Sequence, residues 1–305
     1  MPNTDDLDPW VADWLAANPL PTDDFSPEML ALARGSFDIP FTRDIARVHD
    51  SMIADTPVRI YEHADRPTGL IVYFHGGGFC LGSVSLMDNV ARELAHATGA
   101  AVVSVGYRLA PEDPFPAGLD DCEAVTRWAL ANAREFNVPR GAVVVAGESA
   151  GGNLATAVCL RLRGEGAAEY PVGQVLIYPV VDSEDSGHAS REEFAGLVIT
   201  KKMAEWFWTS YSGDRDIDRD PFAAPLRALD LAHLPPALVI LGGCDGLRDE
   251  GRAYCARLQE AEVEVTEICY PGQPHGFVNF GFPAAAEAYT AIGTWVRGRL
   301  TAIAN

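Results

Sequence analysis

The residues whose types and spacing best fit covalent chemistry lie in Gly147-Glu148-Ser149-Ala150-Gly151-Gly152-Asn153. A serine hydroxyl attacks a carbonyl carbon only when a base takes its proton. Chance alone yields Gly-x-Ser-x-Gly in roughly one chain in ten of this length at about 7% glycine. The weight therefore comes from the flanks. Ala142–Ala146 is an apolar run that reads as a buried strand, and Leu154–Leu162 reads as a helix. The motif thus sits on a sharp strand-to-helix turn. A side chain at Gly147 or Gly151 would collide with the adjoining strand and helix. Ser149 is held at a helix N-terminus, where the dipole favours developing negative charge.

The base must come from seven histidines. In an open parallel sheet, sites form outside the carboxyl ends of the strands. His49 and His63 fall in an initial hairpin, His96 ends a helix and His188 lies in a polar insertion. His233 precedes a strand, and His75 is tied to a glycine-rich loop. His275 alone follows a strand at the right edge, in Tyr270-Pro271-Gly272-Gln273-Pro274-His275-Gly276-Phe277. The base needs an acid to fix its tautomer. Asp245 and Asp182 both end strands and both satisfy the order Ser, Asp, His. Asp245 is favoured because its strand adjoins the histidine strand in sequence. Asp249 lies one helical turn on and suits a basic neighbour or a helix cap. For the oxyanion, His75-Gly76-Gly77-Gly78-Phe79 offers N–H groups free of side chains. Gly77 and Gly78 are the expected donors, with the Ala150 N–H as the third. A phosphate-cradling role is disfavoured, since no Lys or Ser/Thr follows at the required spacing.

These residues need a frame. Ala46–Ile53 and Val58–Tyr61 read as paired strands. Leu70–Phe74, Ala101–Val105, Ala142–Ala146, Gln174–Val181, Ala237–Leu241 and Val263–Cys269 read as further strands. Helices are expected over Asp88–Ala97, Leu119–Phe136, Leu247–Glu260 and Ala284–Leu300. This alternation predicts an α/β fold with a mostly parallel sheet flanked by helices. Two segments stand outside it. Residues 1–45 carry Trp10, Val11, Trp14 and Leu15, then Met29, Leu30, Leu32 and Ala33, at helical spacing. Residues 183–215 are polar at first and then carry Trp206-Phe207-Trp208. Trp10 and Trp14 share a helix face, so the two aromatic groups either line a pocket over Ser149 or bind these segments to the sheet.

The chain has 305 residues, 48% hydrophobic and 22% charged, which suits a globular enzyme with ample core. It has 43 acidic against 23 basic residues, a net charge of −20. Such a body repels phosphate backbones and anionic membranes, so nucleic acid is not an expected partner. No apolar run reaches a membrane span of about 20 residues. The acidic start Met1–Asp6 is no signal peptide. The six cysteines form no Cys-x-x-Cys pair, which fits reduced thiols in a cytoplasmic protein.

Several motifs in order then carry a resemblance. They are the His75 glycine loop, Tyr107-Arg108-Leu109-Ala110-Pro111-Glu112, Pro114-Phe115-Pro116-Ala117 and Gly147–Gly152. Asp220-Pro221, Leu234-Pro235-Pro236-Ala237, Asp245–Glu250 and His275-Gly276-Phe277 follow. From about Ile71 onward the chain resembles the bacterial hormone-sensitive-lipase family of α/β-hydrolase carboxylesterases. The resemblance implies an eight-stranded sheet under a helical cap and a triad of Ser149, Asp245 and His275, with Asp245 chosen over Asp182. The cap would comprise 1–45 and 183–215, and the hydrolase core 46–182 and 216–305. It implies a small-molecule ester substrate with a short to medium acyl chain and no cofactor or metal. Phe79, Trp206, Trp208 and Phe277 are the expected pocket residues. Edge-strand pairing through Val263–Cys269 would give a homodimer. Non-catalytic receptors on this fold keep the Ser and Asp but lack the histidine, so His275 argues for an enzyme. An amidase or peptidase with the same triad is the other alternative. Three positions depart from the family pattern: Glu148 for a common Asp, Asp113 for a His and Gly246 for a Pro. The Tyr107–Glu112 stretch is read as a turn held by Arg108 and Glu112.

Overall fold

A computed structural model describes residues 4–18, 30, 34, 43–62, 66–166, 169–184 and 186–304. The described residues form an eight-stranded sheet in the order β1-β2-β4-β3-β5-β6-β7-β8. The strands are β1 (Arg47–Ile53), β2 (Thr56–Glu62), β3 (Leu70–Phe74), β4 (Ala101–Val105), β5 (Val143–Glu148), β6 (Gly173–Ile177), β7 (Ala237–Cys244) and β8 (Val265–Pro274). β1, β2 and β4 pair antiparallel, and the rest of the sheet is parallel. β3, β4 and β5 are buried at every residue. This matches their near-continuous apolar runs, broken by Ser104 in β4 and by Glu148 at the end of β5, since helices cover both faces of a parallel sheet.

The helices are α1 (Pro9–Ala17), α2 (Asp88–Thr98), α3 (Ala117–Asn132), α4 (Ala150–Gly164), α5 (Ala189–Glu193), α6 (Lys201–Ser212), α7 (Arg248–Glu260) and α8 (Pro283–Ala304). α1 starts at Pro9 behind Asp8, whose carboxylate accepts the Trp10 and Val11 N–H groups at 2.9 and 3.4 Å. α5 and α6 lie in the insertion between β6 and β7, outside the sheet. Of the second expected N-terminal helix, Leu30 is described and buried, while Met29, Leu32 and Ala33 lie outside the described residues.

Three local readings need correction. β6 stops at Ile177, short of the expected Val181, because Tyr178 turns to φ 34° ahead of Pro179. β7 and β8 run further than expected, to Cys244 and Pro274, across a bulge between Gly242 and Cys244. β8 is an edge strand, so Pro271 and Pro274 need no second partner. Arg108 and Glu112 do not hold a turn together. Arg108 pairs with Asp121 at 2.7 Å, and Glu112 pairs with Arg34 at 2.8 Å.

Candidate active site

Three strand ends deliver three side chains to one point. Ser149 follows β5 directly, with φ 57° and ψ −120°. A non-glycine residue held there costs about 1–3 kcal/mol and persists only where the surroundings force it. The forcing is steric. A Cβ on Gly151 would lie 1.9 Å from the Phe74 carbonyl oxygen, and one on Gly147 would lie 2.2 Å from the Gly151 oxygen. The helix start is thus pressed against β3 and β5, and the serine is pushed out of the sheet. The Ser149 N–H donates to the Ile177 carbonyl at 2.9 Å, which fastens the turn to β6.

Cys244 of β7 and Pro274 of β8 are register partners, so the next residues, Asp245 and His275, stand side by side. Asp245 Oδ2 lies 2.9 Å from His275 Nδ1, and His275 Nε2 lies 3.0 Å from Ser149 Oγ. A carboxylate only accepts, so Nδ1 carries the proton and Nε2 is free to accept from the serine hydroxyl. Asp245 Oδ1 also accepts the Leu247 N–H at 2.8 Å, which fixes the carboxylate plane. Asp245 is 1% exposed, His275 9% and Ser149 7%, so all three side chains are nearly dry.

The other candidates are engaged elsewhere. Asp182 accepts from His188 Nε2 at 2.9 Å and from Arg227 Nε at 2.6 Å. Asp249 caps the Ser190 N–H at 2.9 Å and pairs with Arg248. His75 is buried, which pushes its imidazole down to about 4, and its Nδ1 faces the Gly76 carbonyl at 2.8 Å. It is a neutral structural group stacked on Tyr107.

The loop after β3 curls back beneath Ser149. Gly77 and Gly78 take φ 116° and 58°, and the Cys80 and Leu81 N–H groups both close on the Gly77 carbonyl. Among the described residues, no hydrogen bond engages the Gly77 or Gly78 N–H. Ala150 is the first residue of α4, where N–H groups lack intrahelical partners. Phe207 of α6 lies against Gly78 so closely that a Cβ there would meet its ring at 2.4 Å.

A cavity of about 490 Å³ opens beside Asp245 and His275. Phe194, Leu197, Val198, Ile199, Trp208 and Leu247 give it an apolar wall, with Glu184, Glu192, Glu205 and Asp218 among its polar residues. Of the four expected pocket residues, Trp208 lines this cavity, its Nε1 donating to Asp218 at 2.7 Å. The other three do not line it. Phe79 is buried and stacks on Tyr211 of α6 at 3.7 Å. Trp206 packs edge-on to Phe207. Phe277 is fully buried between Tyr178 and Tyr270. Sequence reasoning missed Leu197, Val198 and Ile199. Their signal is a short apolar run within the polar first part of the insertion. Trp10 and Trp14 do not overhang Ser149. They pack on Phe280 and Phe282, just beyond His275.

Comparison with known proteins agrees with this architecture. Residues 71–279 match the α/β hydrolase fold family. The chain belongs to that family, in its hormone-sensitive-lipase-like branch. The carboxylic ester hydrolase LipN of Mycobacterium tuberculosis is 39% identical over 236 residues, 74% of this chain and 61% of LipN. Carboxylesterase NlhH of the same organism is 39% identical over 246 residues, 77% of this chain and 76% of NlhH. A hyperthermophilic esterase from the archaeon Pyrobaculum calidifontis superposes with a TM-score of 0.86 at 35% identity, covering 98% of this chain and 99% of that one. No helix among the described residues is long and apolar enough to cross a membrane.

Proposed function

We propose that the chain is a serine carboxylesterase that hydrolyses short- to medium-chain esters through an acyl-enzyme. The observation that carries this reading is the Ser149–His275–Asp245 relay, at 3.0 and 2.9 Å, on a strained serine turn. Ser149 Oγ attacks the ester carbonyl carbon as His275 Nε2 takes its proton. The N–H groups of Gly77, Gly78 and Ala150 receive the oxyanion, a contribution typically worth about 2.7–4 kcal/mol for one donor. Collapse expels the alcohol, which takes the proton from His275. Water, activated by the same imidazole, then attacks the acyl carbon and releases the acid and Ser149.

The apolar cavity wall suits an ester of modest size, in the usual range of about 300–1,000 Å³ for ligand pockets. The proposed cap is 1–45 with 183–215 and the proposed core 46–182 with 216–305; of the first segment, 4–18, 30, 34 and 43–45 are among the described residues. Phe207 against Gly78 and Tyr211 on Phe79 support the second cap segment's place over the oxyanion loop. The unpaired side of edge strand β8 is the proposed dimer surface. All six cysteines are unpaired, which supports a cytoplasmic location. The test is a series of p-nitrophenyl esters of rising chain length beside a p-nitroanilide. Hydrolysis of the shorter esters, abolished in Ser149→Ala, supports the reading. Preference for the anilide, or activity that survives Ser149→Ala, refutes it.

A further inference from the structure

Beneath the oxyanion loop lies a carboxyl group that the reaction steps above do not use. Glu148 is the last residue of β5 and is 1% exposed. Its Oε1 accepts the Gly76 N–H at 2.6 Å and Asn279 Nδ2 at 3.3 Å. Each partner belongs to a different part of the site. Gly76 precedes Gly77 and Gly78. Asn279 lies four residues past His275, accepts the Tyr178 hydroxyl, and gives its carbonyl to Asn89 Nδ2 at 3.0 Å. One oxygen therefore joins the nucleophile turn, the oxyanion loop and the segment that carries the base.

The loop is gripped at two points. At its far end, the Cys80 and Leu81 N–H groups close on Gly77 O. At its near end, the Glu148 side chain takes the Gly76 N–H. The approach is tight, since a Cβ on Gly76 would lie 2.9 Å from the Glu148 carbonyl oxygen. Gly77 and Gly78 sit between these grips, where glycine's wide conformational range would otherwise let them swing.

The surroundings of the carboxyl are neutral. Tyr73 of β3, Tyr107, Tyr178 and Tyr289 of α8 all face it electrostatically. Among the described residues, no arginine or lysine pairs with it, and the Tyr73 hydroxyl is its neighbour on the Oε2 side, without a hydrogen bond of good geometry. Burial pushes its carboxyl up to about 7.

We propose that Glu148 is a positioning residue that holds the Gly77 and Gly78 N–H groups on the oxyanion, by the reach of one acceptor oxygen to Gly76 and not by its charge. This rests on the oxyanion assignment made above. Aspartate is shorter by one carbon–carbon bond of about 1.5 Å. The 2.6 Å contact would then stretch to about 4 Å, past hydrogen-bond range. Glutamine keeps both the reach and an acceptor oxygen, and its amide N–H can donate to the neighbouring Tyr73 hydroxyl.

The test compares a p-nitrophenyl ester with its thionoester, whose developing sulfur anion takes hydrogen bonds poorly. Wild type, Glu148→Ala, Glu148→Asp and Glu148→Gln are measured on both. Glu148→Ala should lower kcat on the oxo ester by on the order of 10² with little change in KM, the loss typical of a missing oxyanion donor. The thionoester should lose far less, so the oxo/thiono ratio collapses. Glu148→Asp should lower the ratio too, while Glu148→Gln keeps it within about threefold, since a displaced donor costs much more than that. Equal losses on both substrates would mean that Glu148 holds only the nucleophile turn, and would overturn the proposal. A ratio that falls as far in Glu148→Gln as in Glu148→Asp would overturn the claim that charge is not involved. If Glu148→Ala does not fold, the Asp and Gln pair decides. Failure of the underlying reading shows differently: the wild-type ratio would already be near one, or wild-type hydrolysis would survive Ser149→Ala.

Discussion

Replacing Asp245 by asparagine tests the relay at its acid. Asp245 uses both oxygens: Oδ2 on His275 Nδ1 at 2.9 Å, and Oδ1 on the Leu247 N–H at 2.8 Å. Asparagine has one oxygen to offer. If it stays on Leu247, the NH₂ faces Nδ1, which must then accept, and the ring proton moves to Nε2. His275 can no longer take the serine proton. If the amide flips, the tautomer is rescued but the buried Leu247 N–H faces an NH₂. That loss costs about 1–3 kcal/mol, a bias of roughly five- to 150-fold toward the dead arrangement. The surviving minority also lacks the negative charge that stabilises the imidazolium. We expect kcat/KM for p-nitrophenyl butyrate to fall by about 10³–10⁴ in Asp245→Asn, as in triads of this kind. The fold should persist, because the substitution is isosteric. The control is Asp182→Asn, which breaks contacts to Arg227 and to His188 on the cavity wall but touches neither His275 nor Ser149. It should lower Tm yet leave kcat/KM within about threefold, since its named cost is a lost polar network and not a lost base. A loss in Asp182→Asn equal to or greater than that in Asp245→Asn would refute the argument.

Ser149→Ala should abolish turnover, by on the order of 10⁶ in kcat, and a fluorophosphonate should add one equivalent at Ser149. Labelling at another serine would contradict the assignment. Deleting residues 1–35 removes the Trp10 and Trp14 packing on Phe280 and Phe282. It also removes the Arg34 bonds to the Cys80 and Ala110 carbonyls, both at 2.8 Å. Activity on a C4 ester should drop, the C4/C12 ratio of kcat/KM should fall, and exposed apolar surface should promote aggregation. An unchanged ratio in a folded truncation would show that the segment does not shape the pocket. The Glu148 carboxyl is pushed from 4.5 to about 7 by burial, so its neutral form is favoured in the fold. Its contribution is present below pH 4.5 and is lost as pH rises through about 7, by about 3 kcal/mol at most. Glu148→Gln should therefore flatten the dependence of Tm on pH across that window. An undiminished slope would mean that other groups set it.

Legibility followed the range of the interactions involved. The nucleophile turn is local, so Gly147, Ser149 and Gly151 could be read from their clashes with the nearest strand and helix. Strand ends likewise pointed to His275, but they and chain order left Asp245 and Asp182 level; adjacency of strands favoured Asp245, and the family resemblance made the choice. What escaped depends on contacts between distant segments. Arg108 with Asp121 and Glu112 with Arg34 are pairings that no spacing within Tyr107–Glu112 reveals. The extension of β8 through Pro271 and Pro274 was hidden because proline usually ends a strand. It holds here because β8 pairs on one side only. Phe277 is apolar and neighbours the base, which fits a pocket wall as well as a core residue. The rings of Tyr178 and Tyr270 around it make it core. The same limit applies to Glu148. The motif shows a carboxyl beside the serine, but the Gly76 N–H it reaches is 72 residues away.

The pairing of Cys244 with Pro274 bears on how this site can be re-engineered. Acid and base are indexed against each other by a main-chain ladder, as marks on two rulers are, and not by the loops that follow. A slip of two residues, the smallest that keeps each side chain on its face, would carry the imidazole about 6.6 Å along the strand. Insertions upstream, within β7 or β8, should therefore be silenced even when they lie far from the substrate. Downstream, the residues to keep are Leu247, which fixes the Asp245 carboxylate, and Asn279, which ties the His275 segment to Glu148; changes beyond them leave the alignment in place. A library that varies Leu197, Val198 and Ile199 in the insertion between β6 and β7, while keeping Phe207 and Tyr211 on the glycine loop, leaves both rulers untouched and should change which esters are accepted.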